Sequence, residues 1–133
     1  MKKILFVIIF TLFITSCSSN DSSESIIEGD FSGTFSRVQG NARYATAEVS
    51  ITFSNGTFEG VSNINDYPAI CNGTFEIVKD EIIFSNDCAF TADFDWTYIL
   101  DGTFDYQLNG SELRISKVYN STSSDTYILS DAN

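Results

Sequence analysis

The chain has 133 residues, 7 Lys+Arg, 18 Asp+Glu and no His, for a formal net charge of -11. That length holds one ordinary domain. The missing His excludes Ser-His and Cys-His nucleophile pairs and His-ligated metal sites. So acidic a chain has few cations to offer phosphates, which argues against nucleic-acid partners.

Lys2 and Lys3 precede an apolar run from Ile4 to Ile14. The run has the length of a signal-peptide core and is short for a transmembrane helix. It ends in Ile14-Thr15-Ser16-Cys17, which resembles the lipobox of bacterial lipoproteins. That resemblance implies cleavage after residue 16 and a diacylated Cys17. Two acyl chains suffice for stable anchoring. Ser18 stands where an inner-membrane retention signal would resemble Asp, so the expected address is the outer membrane, on its surface or periplasmic face. Residues 17–28, with their Ser, Asn, Asp and Glu, look like the tethers of small Bacteroidota lipoproteins. Cleavage removes two of the seven basic side chains and no acid, leaving a mature net charge of -13.

Residues 29–131 read as one all-β domain. No apolar period of 3.6 persists after Cys17, while two-residue alternation recurs. The spans 30–38, 43–54, 57–62, 69–78, 81–88, 94–108, 111–119 and 126–130 are the predicted strands. The triplet Gly-Thr-Phe appears at 33–35, 56–58, 73–75 and 102–104. Its uneven spacing excludes a solenoid. It predicts Gly at bends, Thr outward and Phe inward.

Three turns set registers, because paired positions around a two-residue loop sum to a constant. Asn55-Gly56 pairs Phe53 with Phe58. Lys79-Asp80 pairs Phe75 with Phe84, Ile77 with Ile82 and Cys71 with Cys88. Asn109-Gly110 pairs Tyr106 with Leu113, Phe104 with Ile115, Leu100 with Tyr119, Gly102 with Lys117 and Asp105 with Arg114. With Cys17 lipidated in an oxidising envelope, Cys71 and Cys88 are expected to form a structural disulfide at a close cross-strand site. The C-x-x-C spacing of a redox pair is absent.

The longest alternation places Phe94, Trp96, Tyr98, Leu100, Phe104 and Tyr106 inward, with Asp93, Asp95, Asp101 and Asp105 outward. A strand of fifteen residues spans about 50 Å if straight, so it must coil, with Gly102 as the bend. One apolar face and about eight strands joined by short turns suggest an antiparallel up-and-down barrel, with a two-sheet sandwich as the alternative. The barrel loosely resembles lipocalin-like folds in architecture, although the lipocalin Gly-x-Trp is replaced by Gly33-Thr34-Phe35.

The outward acids read as a solvated row. Catalytic, metal-binding and cofactor-binding residues are not expected. Trp96, Tyr98, Tyr106, Phe75 and Phe104 either line a pocket or fill the core. Two cations, Arg37 and Lys117, fall in phase with the apolar face. They either reach the rim as snorkelling side chains or anchor an anion. The leading expectation is a monomeric, non-enzymatic, membrane-anchored barrel that binds a small apolar or anionic amphiphilic ligand. Arg37, Lys117, Tyr98, Tyr106 and Trp96 would then be the binding residues. The alternative is a module that binds a basic protein, similar to small barrel lipoproteins that inhibit lysozymes. A cavity of roughly 300 Å³ or more in the barrel interior, reached by either cation, favours the first. A filled interior beneath an acidic loop favours the second.

Overall fold

The computed structural model describes residues 26–133. The signal segment 1–16, Cys17 and the tether as far as residue 25 lie outside the described residues. The strands are β1 (Gly29–Gln39), β2 (Ala42–Arg43), β3 (Ala47–Ser54), β4 (Thr57–Ser62), β5 (Cys71–Val78), β6 (Glu81–Asn86), β7 (Gly102–Asn109), β8 (Glu112–Asn120) and β9 (Ser123–Asp131). Each strand from β3 to β9 pairs with its predecessor in the order β1-β3-β4-β5-β6-β7-β8-β9, and β9 returns to β1. This is a closed antiparallel up-and-down barrel of eight strands. The two-residue β2 is an extra strand on the end of β1.

Two predicted registers hold. Phe53 faces Phe58 around Asn55-Gly56, whose residues both take positive φ as a type I′ turn requires. Phe75 faces Phe84 and Ile77 faces Ile82 around Lys79-Asp80. The third register differs by two. Leu108 faces Leu113, Tyr106 faces Ile115, and Arg114 faces Gln107 rather than Asp105. The loop is Gly110-Ser111, with positive φ at Gly110 but not at Ser111. Gly in the first central position suits a type II′ turn and displaces Asn109 into the strand. A shift of two preserves the faces, so Ile115 and Leu113 still point inward.

Larger corrections concern strand ends. Residues 94–101 are not strand. Asp95 accepts hydrogen bonds from Thr97 N and Thr97 Oγ1, at 3.0 and 2.7 Å, and a 3₁₀ turn follows over Trp96–Tyr98. Such local bonds compete with a ladder, and β6 ends at Asn86, so the antiparallel ladder stops there and an isolated parallel bridge from Ile99 to Ala69 takes its place. Residues 44–46 interrupt the predicted strand 43–54 as they carry the chain from β2 to β3. β5 starts at Cys71 rather than 69, and β9 begins three residues earlier than expected. The domain also starts before residue 29: Ile27 is buried in the core, and Glu28 accepts a hydrogen bond from Asn55 N. An apolar side chain at the end of a polar tether closes the lower end of the barrel.

Every Gly-Thr-Phe triplet follows its predicted facing, with each Thr exposed and each Phe turned inward. Gly33 serves a further purpose. A Cβ there would lie 2.0 Å from the carbonyl oxygen of Ile128, so a bare backbone lets β1 and β9 close the barrel. The interior is filled. Rings contact one another from Phe31 to Phe53, Phe84, Phe104, Tyr127, Phe35, Tyr67 and Tyr98, with centroids 4.8–6.4 Å apart. Edge and tilted contacts of this kind stabilise beyond the area they bury.

Candidate functional site

The barrel has two unlike ends. Three two-residue hairpins and Ile27 close the lower one. The connections 40–46, 63–70, 87–101 and 121–122 gather at the other, which forms the mouth. Most of the sequence-predicted site residues meet there.

Arg37 and Asp125 face each other across the β1–β9 seam, with side chains 4% exposed. Arg37 donates from Nε to Oδ1 and from Nη2 to Oδ2, both at 2.6 Å. It also donates to Thr97 Oγ1 at 2.9 Å and to the Thr97 carbonyl at 2.7 Å. The Tyr98 ring lies 4.2 Å from the guanidinium carbon. Burial alone would lower the Arg37 pKa, but the hydrogen bonds and charge of Asp125 outweigh it and hold it above its ordinary value. Tyr119 donates to Asp125 Oδ2 at 2.9 Å. Burial first, and Asp125 second, push the Tyr119 phenol up to about 12.

Arg37 therefore neither snorkels nor offers a free charge to an anion. It pins the Trp96–Tyr98 turn across the mouth. Asp125 was missed because the predicted strand began at residue 126. An acid in phase with the inward residues Tyr127 and Leu129 was the available signal, and the inward Arg37 its match.

Lys117 is different. It also lies across from Asp125, on the β8–β9 side, but Arg37 and Tyr119 engage both carboxylate oxygens. Among the described residues the Arg37–Asp125 pair is the only ion pair within 4.0 Å. Lys117 is half-buried, with Nζ 4.9 Å from the Phe104 ring centroid and 5.7 Å from that of Tyr119. The predicted Gly102–Lys117 pairing falls outside the observed β7–β8 register. Even so, Lys117 Nζ fills the space beside Gly102, 3.5 Å from where a Cβ would sit.

The ammonium opens into a cleft of about 360 Å³ between the 87–101 loop and the barrel rim. Phe90, Trp96, Thr97, Asp101 and Tyr119 are among its walls. A smaller cleft of about 200 Å³ lies on the other side of Thr97, beside Arg37. The Arg37–Thr97 bridge thus divides the mouth in two.

The remaining candidates scatter. Trp96 is 59% exposed on the loop and forms part of the Lys117 cleft. Tyr98 is half-buried, between Arg37 and the Tyr67 ring. Tyr106 is buried near the hairpin end, where its N–H donates to the Asp80 carbonyl, far along β7 from the mouth. Phe75 and Phe104 belong to the core. Asp93, Asp95 and Asp101 are exposed as expected, but they lie on the loop rather than along a strand.

Cys71 and Cys88 are joined, with Cα atoms 6.3 Å apart. They are not directly opposed strand partners. The β5–β6 ladder stops at Gly73–Asn86, and Cys71 pairs instead with Gly60 at positive φ. The bond ties the start of β5 to the start of the mouth loop.

The class of molecule is thus a small closed β-barrel with a filled interior and a mouth spanned by a pinned loop. No protein-family model, curated protein or solved structure matches the chain.

Proposed function

We propose that this protein is a lipid-anchored envelope module that captures a small anionic, partly apolar ligand at its mouth. The observation that carries this reading is Lys117, a half-buried cation without a carboxylate partner among the described residues, set over aromatic rings in an open cleft of about 360 Å³. Its ammonium opens into the cleft with no carboxylate within 4.0 Å, and an anion arriving there supplies a charge-assisted hydrogen bond. Phe90, Trp96 and Tyr119 offer apolar walls for the ligand body. The filled interior moves the ligand from the barrel axis to the rim, so a long acyl tail gains no buried path through the barrel. Arg37, spent on Asp125, drops out of the binding set, as does the distant Tyr106.

The chain enters the barrel at its hairpin end. An anchor at Cys17 would therefore hold the mouth away from the membrane, toward the solvent that carries the ligand. Outer-membrane residence rests on the lipobox resemblance.

Isothermal titration with octanoate, octanol and palmitate tests the reading. Octanoate should bind more tightly than octanol, and palmitate little better than octanoate. Lys117→Met should reduce octanoate affinity by about 1.5–3 kcal/mol, the range for a hydrogen bond to a charged group, and spare octanol. Absence of octanoate binding to the wild-type protein, or an unchanged affinity in Lys117→Met, overturns the proposal.

A further inference from the structure

The loop from Asp87 to Asp101 is held at both ends. Cys88 is bonded to Cys71. Thr97 is held by Arg37, and Ala69 takes hydrogen bonds on either side of Ile99, donating to the Tyr98 carbonyl and accepting from Leu100 N, each at 2.9 Å. The segment between is ordered by its own rings. Phe90 and Phe94 stack at 5.1 Å, Phe90 meets the edge of Trp96 at 6.4 Å, and Phe94 N donates to the Thr91 carbonyl. A loop so restrained could have buried its largest ring, yet Trp96 is left 59% exposed.

The loop carries Asp87, Asp93, Asp95 and Asp101 and no Lys or Arg. The neighbouring Thr91 hydroxyl lowers the Asp93 carboxyl pKa, and the bonds from Thr97 lower that of Asp95. Asp95 is committed to the turn, whereas Asp87 and Asp93 are exposed.

We propose that this loop is a docking surface for a basic protein, with Trp96 as the central contact and Asp87 and Asp93 at its rim. An exposed Trp in a preorganised setting is the side chain that most often dominates an interface, because little ordering entropy remains to be lost on binding. Partner Arg or Lys side chains can lie on the indole face and pair with the flanking carboxylates. The chain's net charge of -11 steers such a partner in. The same charge repels a second copy and an anionic lipid surface. This inference goes beyond ligand capture: Trp96 also walls the cleft, but Asp87 and Asp93 are not among the cleft residues, and the docking surface does not use Lys117.

The test places the photo-crosslinker p-benzoylphenylalanine at Phe94 of the full chain, in the envelope of cells that produce it. The expected adduct is one protein with a pI above 8. That protein, purified, should bind wild type, and Trp96→Ala should weaken binding about tenfold or more. Asp87→Asn with Asp93→Asn should weaken it about threefold at low salt and less at 300 mM, as exposed charges are screened. Lys117→Met should leave it unchanged, which separates protein docking from anion capture. The proposal is overturned by no protein adduct, by an adduct to a second copy, an acidic protein or lipid, or by a basic partner indifferent to Trp96→Ala.

Discussion

Arg37 and Asp125 are directly opposed on β1 and β9, the two strands whose pairing closes the barrel, so the buried ion pair of this fold sits on its seam. The same guanidinium holds Thr97. Barrel closure and the placement of the mouth loop therefore share one residue. The pair leaves Lys117 without its cross-strand carboxylate, which is why one cation is structural and the other is free to act.

Asp125→Asn should destabilise the protein by about 3 kcal/mol, because it leaves a buried guanidinium without its counter-charge. Arg37→Met combined with Asp125→Leu should recover most of that loss, since a buried pair replaced by apolar groups of similar volume is often neutral. Urea unfolding of wild type and the two variants checks both statements. A single variant as stable as wild type would show that the pair contributes nothing.

Cys71→Ser with Cys88→Ser should lower the melting temperature. A bond spanning 17 residues restricts the unfolded chain by on the order of 3 kcal/mol. The loop at 87–101 should also lose its first anchor, so limited proteolysis should cut there before elsewhere. Melting curves and peptide mapping of the digests give the comparison, and equal curves with no preferred cut would contradict it.

Tyr119 should ionise late. Its phenol is pushed up to about 12 by burial first and by Asp125 second, while in the unfolded chain it titrates near 10. The folded state holds its proton more tightly, so this contribution to stability is complete below pH 10 and is lost as pH rises toward 12. Tyr127, fully buried, is raised in the same sense. Tyrosinate absorbance at 295 nm should show delayed groups in native protein that appear at once in guanidinium. Tyr119→Phe should remove one of them and flatten the fall in melting temperature above pH 10.

Cys17→Ala should abolish lipidation and release the chain from membranes, as the lipobox resemblance implies. Palmitate labelling with membrane fractionation measures it. A variant that still labels and still sediments would rule out anchoring at this residue.

Local chemistry determined much of this protein. Two-residue alternation specified which side chains point inward. Asn55-Gly56 set one register because its residues tolerate the positive φ of a type I′ turn, and Phe and Ile coincidences around Lys79-Asp80 set another. Even the misplaced Gly110 hairpin kept its faces, since an error of two cannot invert a strand. Tertiary structure decided what alternation cannot express. Asp95 bonding to Thr97 turned residues 94–101 out of the sheet although their apolar pattern matched a strand, because a strand forms only where a neighbour remains to pair with it. Whether Arg37 or Lys117 stays free depended on Asp125, 88 residues along the chain from one and across the strand pair from the other. Whether the barrel is hollow depended on side-chain packing from all eight strands at once. These are long-range matters of closure and volume, and no short window of sequence contains them.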